Sequence, residues 1–361
     1  MYTKGRIKMQ KYYINTILTV ESNGGSKAKS DINVILKKMG FEEIYLPCRG
    51  KQTSFFSKFT SIIEALCLFK LSSSSVVFFQ SPSNKSILFD KIVLYAKRIK
   101  KFKLIVIIHD IEELRKIYVK NAHYIFNERQ FFNISDAIIC HNDSMKSYLI
   151  KQGKDRKNIF PIEIFDYMID GNFKIKNIIH QKNEIVVAGN LSYKKSAYIY
   201  DLGELVSNNL IIRLYGPEYE EKRKNDKVIF EGCYLPDEVP EKLRGGWGLV
   251  WDGNSIETCQ GNTGDYLIYI NQHKASLYLA SGLPVIIWEK AGLAPYVKKN
   301  KVGICITSLR DIEKKINAIT DEEYKLMCEN VEQIRQKLMD GFYAEKVVRN
   351  AEQFIENTYG K

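Results

Sequence analysis

The chain has 361 residues, 45% of them hydrophobic and 27% charged, with 8 prolines and 22 glycines. That is the make-up of an ordinary folded protein of about two domains, and it excludes collagen-like, mucin-like and disordered chains. Lysine and arginine number 54 against 42 aspartate and glutamate, a net charge of +12, which calls for a negatively charged partner such as nucleic acid, an anionic lipid surface or a diphosphate.

In chain order, the opening MYTKGRIKMQKYYINTI lacks a signal-type apolar core with a small-residue cleavage site, so the expected location is the cytoplasm. KYYINTILTV reads as a strand, followed by a Gly-containing turn at 22–26. A helix then carries Ile32, Ile35, Leu36 and Met39 on one face and stops at Gly40. EEIYLP is a strand, 55–69 is helix-like, SSVVFFQSP is a strand, 87–98 a helix and FKLIVIIHD another strand. Runs such as 76–79 and 104–108 are apolar on both faces, as in a parallel sheet covered by helices. DAIICHN and a helix over 144–152 repeat the pattern, which makes 1–165 the first domain. The rhythm fails over 166–183, the expected linker. It restarts over 184–340 with strands EIVVAGN, LIIRLYGP, VIFEGC, GWGLVWD, LPVIIW and VGICI, and helices near 271–281, 293–299 and 309–318. The helical stretch 321–358 is long enough that its last part, 341–361, can cross back over the first domain. The expected fold class is α/β, two Rossmann-like domains with parallel sheets. The 7 cysteines are odd in number and never form CxxC, which argues against a disulfide framework and a zinc knuckle; they read as reduced, mostly buried small hydrophobes.

The stretch INQHKASLYLASGLPVII sets His273 and Lys274 at the mouth of a helix after the strand GWGLVWD and the loop GNSIETCQGNTGDYLIYINQ. In open parallel sheets ligands collect beyond the carboxyl ends of the strands. A lysine at a helix start is locally unfavourable because the macrodipole is positive there, and becomes sensible if an anion sits at that mouth. The small residues Ala275, Ser276, Ala280, Ser281 and Gly282 allow close packing on the sheet. An ordinary packed αβ unit with a surface lysine explains the pattern equally well.

GDYLIYINQHKASLYLASGLPVIIWEKAGLAPYVKKNKVGI closely resembles a block of the bacterial β-1,6-galactofuranosyltransferases that build O-antigen and capsule polysaccharides. GGWGLVWDG and VVFFQSP…KLIVIIHDIEELR resemble their other recurrent blocks. More distantly the chain is similar to the glucosyltransferases that extend glycans on streptococcal serine-rich adhesins. The resemblance spans most of 11–318 and implies the GT-B fold: two facing Rossmann-like domains, the second holding the nucleotide-sugar and the first facing the acceptor. Where the relatives carry Asn-Asn-Pro-His-Lys, this chain has Ile270-Asn271-Gln272-His273-Lys274, without the proline that fixes the helix start.

The resemblance implies a UDP-sugar donor, UDP-galactofuranose first, and a glycan acceptor carried on a lipid diphosphate at the inner membrane face, which the basic first domain can approach peripherally. A β-linkage from an α-linked donor implies inversion, hence a general base. Asp110 is the first candidate, with His109, Glu112 and Glu113 as rivals and capping of the next helix as the alternative role for a strand-ending aspartate. The chain contains no Asp-x-Asp, so no metal is expected. Lys274, its helix N-terminus and backbone near Gly189 and Asn190 are the expected partners of the diphosphate, with Arg213 and Arg244 in reserve. The nucleotide base is expected near Tyr215, Gly216 and the turn at 232–235. Asp252, Asp265 and Tyr266 are candidates for sugar or ribose hydroxyls, beside His273. Trp247, Trp251 and Trp288 sit in strand patterns where core packing is expected for at least two; Trp251 is kept as a donor contact. On the acceptor side the loop ESNGGSKAK offers Asn23, Gly24, Gly25 and Lys27; it lacks GxGxxG.

Among rivals, a nicotinamide oxidoreductase needs the glycine fingerprint and a later acid, which neither half supplies together. A nucleic-acid partner is not expected, there being no zinc, helix-turn-helix or RNP-like pattern. A GT-B enzyme using UDP-glucose or another hexose, and a non-catalytic sugar-nucleotide-binding subunit, stay open, as does homo-oligomerisation.

Overall fold

A computed structural model of the chain describes residues 9–16, 24–44, 65–83, 85–116, 122–169, 181–205, 210–220 and 227–359. The first half contributes β1 (Lys11–Ile14), β2 (Glu42–Ile44), β3 (Val76–Ser81), β4 (Lys103–Ile108), β5 (Ala137–Cys140) and β6 (Ile159–Pro161). The second contributes β7 (Glu184–Ala188), β8 (Ile211–Tyr215), β9 (Val228–Gly232), β10 (Trp247–Val250), β11 (Val285–Trp288) and β12 (Gly303–Ile306). They form two six-stranded sheets, ordered β2-β1-β3-β4-β5-β6 and β12-β11-β10-β7-β8-β9, and every pairing is parallel. The α/β class with two Rossmann-like sheets is therefore observed.

The central strands are buried along their whole length, and period-two alternation divides their side chains between two cores. On β3, Val77 and Phe79 pack with Phe89, Val93 and Phe131 from the outer helices. Val76 and Phe78 face the opposite way, into a core that runs on through both domains and the carboxyl-terminal helices. The stretch expected as one long helix is two: Asp321–Asp340 ends at Gly341, whose φ of 83° is left-handed, and Phe342–Tyr359 follows. A Cβ at Gly341 would lie 2.7 Å from Ile35 Cγ1, so the turn and its close approach both require glycine. Asp166 accepts from the Tyr343 and Ala344 N–H groups at 3.1 and 2.6 Å and so caps the last helix. That helix then packs on β5, β6 and the Gly24–Lys38 helix, with a Lys11–Glu352 ion pair of 2.5 Å.

Two expectations change in detail. The helix-like stretch over 55–69 lies largely outside the described residues, and its end is a 3-10 turn, Leu66–Lys70. The loop after β10 contains a short helix, Gly261–Tyr266. Of the cysteines, Cys140 and Cys259 are buried, Cys233 is exposed, and none of those described is in a disulfide.

In each sheet the chain lays strands to one side and then returns to the other. The reversals fall between β1 and β3 and between β7 and β10. These switch points open crevices at the carboxyl ends, where connections leave in opposite directions. The residues directly after β7 and β10 are Gly189-Asn190 and Trp251-Asp252.

Candidate active site

The turns after β7, β8 and β9 are stacked backbone on backbone. Gly189 N–H donates to the Tyr215 carbonyl at 3.0 Å and Gly216 N–H to the Gly232 carbonyl at 2.9 Å. Gly189 and Gly216 have φ of 139° and 143°, and a Cβ at Gly216 would sit 1.8 Å from the Gly189 carbonyl oxygen. Asn190 holds its turn by accepting from Ser192 N–H at 3.0 Å and donating to Glu218 at 2.8 Å. Tyr215, expected to touch the nucleotide, is instead 2% exposed, its hydroxyl taken by the Arg244 N–H at 3.2 Å. Trp251 is likewise core, fully buried with its ring N–H on the Ser255 carbonyl; Trp247 and Trp288 are core too.

What Trp251 brings to the site is its carbonyl. Lys274 Nζ donates to it at 3.0 Å and lies 3.4 Å from Asp252 Oδ2, while Asp252 Oδ1 is buried without a hydrogen-bond partner. The lysine therefore crosses from the helix His273–Ala280 to the end of β10. His273, one residue earlier, projects about 100° away around the helix. It packs on Tyr167 at 5.1 Å between ring centres, hydrogen-bonds the Asp166 backbone, and is held neutral by burial, its pKa lowered to about 4. The structure thus separates His273 from Lys274: one serves the domain junction, the other the crevice.

Sequence reasoning missed Lys195, in the helix Tyr193–Ser196 after the Gly189-Asn190 turn. It makes no ion pair among the described residues. Its side chain keeps access to solvent, yet the surrounding protein draws its pKa down, with Lys274 and Arg115 pushing the same way and Asp252 and Asp110 opposing them. Two further cations, Lys274 and Arg115, and two carboxylates, Asp252 and Asp110, are therefore within electrostatic reach of Lys195. The only sequence signal for Lys195 was its place just after the first strand of the second domain.

The first domain contributes the end of β4. His109 shares a 2.7 Å hydrogen bond between Nε2 and Gln80 Oε1. Because the Gln80 amide nitrogen donates to the Lys29 carbonyl and Asn33, its oxygen is the acceptor; Nε2 carries the proton and Nδ1 keeps the lone pair. Burial first, then Lys29, His141 and His273, hold this ring neutral, well below the usual histidine range. Asp110 is 31% exposed and pairs with Arg115 at 3.0 Å. Burial nonetheless raises its pKa, against Arg115, Lys29 and a hydrogen bond from Tyr266. Lys29 itself is buried, its pKa lowered to about 8, with its ammonium 2.5 Å from the Pro82 carbonyl.

Tyr266 was expected on the donor; instead its hydroxyl crosses to the first domain and accepts the Ile111 N–H at 2.7 Å. A second tie lies beside it. Asn271 N–H donates to His141 Nδ1 at 2.9 Å, and its side-chain amide donates to the His141 and Ile162 carbonyls at 2.6 and 2.9 Å. His141 Nε2 in turn donates to the His109 carbonyl at 2.8 Å. Asn142 reaches back to the Tyr269 carbonyl at 3.1 Å and to Asn271 Oδ1 at 3.0 Å, into space that a Cβ on Gly292 would fill, 2.3 Å from the amide nitrogen. Asn271 thereby fixes the helix start that lacks its proline. Both His141 nitrogens are committed and burial lowers its pKa to about 4. Nitrogen-15 shifts should therefore report a neutral Nε2–H ring with no titration near the ordinary value of about 6.5; a transition there would contradict the tie.

Other candidates are placed elsewhere. Glu113 is paired with Arg129 at 3.0 Å, and bonds from Arg129 and Tyr148 lower its pKa, which weakens it as a base. Glu112 is buried and pairs with Arg115 at 3.1 Å. Arg213 is committed to Glu184 at 2.5 Å and to Glu231, and Asp265 is exposed. Lys27 is a clasp: it reaches Asp31 at 2.6 Å, the Met168 carbonyl at 2.6 Å and Asp237 of the second domain at 3.0 Å. Gly24 opens the first helix and Gly25 is exposed in its first turn; Asn23 lies outside the described residues. Among the described residues no group of three or more His, Cys, Asp or Glu could hold a metal.

Comparison with known proteins identifies the family. Residues 11–164 match the N-terminal domain of the glucosyltransferase 3-like family and residues 185–351 its C-terminal domain. The chain belongs to this family. It is 31% identical to the beta-1,6-galactofuranosyltransferase WbbI of Escherichia coli (strain K12), over 93% of this chain and 97% of the relative. It is 24% identical to Glucosyltransferase 3 of Streptococcus gordonii, over 90% and 92%. The structure of Anabaena HepE in complex with UDP and glucose shares the fold, with a TM-score of 0.58 at 10% identity over 97% of this chain and 99% of that one. The family member described here is thus a glycosyltransferase of GT-B type, and among its described residues no helix is long and apolar enough to cross a membrane.

Proposed function

We propose that the protein is an inverting transferase that moves galactofuranose from UDP-galactofuranose to a hydroxyl of a glycan acceptor in surface polysaccharide synthesis, with a β-1,6 linkage. The observation that carries this is Lys274 reaching the end of β10 at Trp251 and Asp252, with Lys195 within electrostatic reach of it and of the Arg115–Asp110 pair at the end of β4. A diphosphate would give Lys195 the counter-charge that no ion pair among the described residues supplies, with Lys274 beside it. In a partly dry crevice a cation about 4 Å from a phosphate is worth several times its value in water, so the lysines, with the Asn190 N–H beside the committed Gly189 N–H, take the part that a divalent ion plays in other transferases. Asp252 Oδ1, lacking a partner, suits a sugar or ribose hydroxyl. The raised pKa of Asp110 suits a general base: it takes the proton of the acceptor hydroxyl, the oxygen bonds to the anomeric carbon, and the bond to UDP breaks with its electrons leaving on the diphosphate. WbbI, by its name a galactofuranosyltransferase, supports the donor sugar. The acceptor in this reading is carried on a lipid diphosphate at the inner membrane face.

The test incubates the purified protein with UDP-galactofuranose, UDP-galactose or UDP-glucose and a sugar acceptor, with EDTA present, and analyses product by mass spectrometry and NMR. The expected result is a β-linked furanoside from the first donor only, unaffected by EDTA. Transfer of a pyranose would replace the donor reading, an α-linkage would replace inversion, and loss of product in EDTA would overturn the cation argument.

A second expectation concerns the stacked glycines. Gly216→Ala forces a side chain against the Gly189 carbonyl, strain of order 1–3 kcal/mol, so UDP affinity should fall about tenfold or more. Calorimetry checks this, with circular dichroism confirming the fold; unchanged affinity would remove these turns from the donor site.

A further inference from the structure

Thirteen large apolar side chains are exposed among the described residues, and five of them, Leu66, Leu88, Tyr95, Ile99 and Phe126, lie on the 3-10 turn Leu66–Lys70 and the helices Ile87–Lys100 and Ala122–Ile134, the first helix packing on both of the others. The helix Ile87–Lys100 buries Phe89, Val93, Leu94 and Ala96. Its outer face carries Leu88, Lys91, Tyr95, Arg98 and Ile99, spaced three and four apart as one face of a helix must be. Tyr95 joins the flanks: its ring is 6.1 Å from Phe69 in the 3-10 turn Leu66–Lys70, and with Lys91 and Arg98 it borders a groove of about 440 Å³ that Phe126 closes on the far side.

The charge on this face has one sign. Lys70, Lys91, Arg98 and Lys101 are exposed. The one acid in Leu66–Lys70 and Ile87–Lys100, Asp90, is buried with its carboxylate on Ser83 at 2.7 Å, and the acid of the helix Ala122–Ile134, Glu128, is buried too. Two copies brought together through this face would oppose like charges, whereas an anionic surface would meet both the basic rim and the apolar centre. The face also begins at the cleft. Ser86 caps the helix at the carboxyl end of β3, and Asp90 in its first turn acts on Lys29, which in turn is within electrostatic reach of Asp110.

We propose that this face docks on an anionic lipid bilayer, seating Leu88, Tyr95, Ile99 and Phe126 in the headgroup region and holding the first-domain rim of the cleft beside the membrane surface. It contains none of the residues assigned to donor or base, so it stands whether or not the donor reading holds.

The test is co-sedimentation of the full chain with vesicles of phosphatidylcholine alone and of phosphatidylcholine mixed with phosphatidylglycerol, at low and high salt. The chain is expected to partition onto the anionic vesicles only, and less at high salt. Lys91→Ala with Arg98→Ala should lower the partition coefficient about 30-fold, each basic group near an anionic surface contributing roughly fivefold. Tyr95→Ser with Ile99→Ser should lower it about tenfold or more. Both variants should keep the wild-type unfolding temperature and turnover of a water-soluble acceptor. Absence of binding, equal binding to neutral vesicles, or undiminished binding by both folded variants would overturn the proposal. So would a dimer in light scattering that these substitutions convert to monomer while vesicle binding is absent, which would assign the face to a second copy of the chain.

Discussion

Asp110→Asn is expected to lower kcat by about 10² to 10⁴ while UDP affinity stays as it was, the range typical of losing a positioned general base. The substitution keeps the shape of the side chain and its reach to Arg115 and Tyr266, so the domains should stay tied and the loss should be chemical. The raised pKa gives a second readout. Activity that depends on an ionised Asp110 should fall on the acid side at a pH above the ordinary aspartate value of about 3.9, and that limb should vanish in the variant. His109 is the control. Its Nε2 proton is fixed by Gln80 and its ring is held neutral, so Gln80→Leu should disturb its orientation and lower kcat less than loss of Asp110. If Asp110→Asn turns over like the wild type while His109→Ala is inactive, the base is the Nδ1 lone pair of His109.

Lys274→Met should weaken donor binding about 10- to 100-fold, since a hydrogen bond to a charged group is worth about 1.5–3 kcal/mol. Part of that loss is structural, because Asp252 would lose its 3.4 Å partner. The double variant Lys274→Met/Asp252→Asn tests the structural part, since recovered stability would trace the cost to the unpaired Asp252; comparison of its UDP affinity with that of Asp252→Asn alone isolates the share of the lysine. Lys195→Met should act in the same direction without a stability cost, because that ammonium makes no ion pair among the described residues. The two lysines act on each other, so their effects on UDP affinity should not add. Full UDP affinity in both single variants would remove the second domain's lysines from the diphosphate site.

Most of the architecture was legible because a covered parallel sheet writes itself plainly. β3, β4, β7 and β11 are apolar on both faces, which no amphipathic helix or half-exposed hairpin imitates. The place of Lys274 at a helix mouth after a strand end was likewise legible; its reach back to the Trp251 carbonyl and Asp252 was not. What escaped was whatever depends on the other domain. Tyr266 looked like a donor contact from its place in the loop, but its partner is the Ile111 N–H, 155 residues away in the chain. His273 looked inseparable from Lys274 until the helix turned it to Tyr167 and Asp166. Lys27 sat in a promising loop, yet it is spent on Asp31, Met168 and Asp237. Lys195 needed the strand order, which fixes the β7/β10 switch point and is written nowhere in local periodicity.

The central claim is that the second domain grips a diphosphate with lysine charge and backbone N–H groups at that switch point. A crystal structure of the protein with UDP, grown in EDTA, tests it most directly. The account predicts phosphate oxygens within about 4 Å of the Lys274 or Lys195 ammonium and facing the Gly189 turn, with no cation density between them. Phosphates seated away from both lysines, or bridged to the protein through a bound metal, would contradict it.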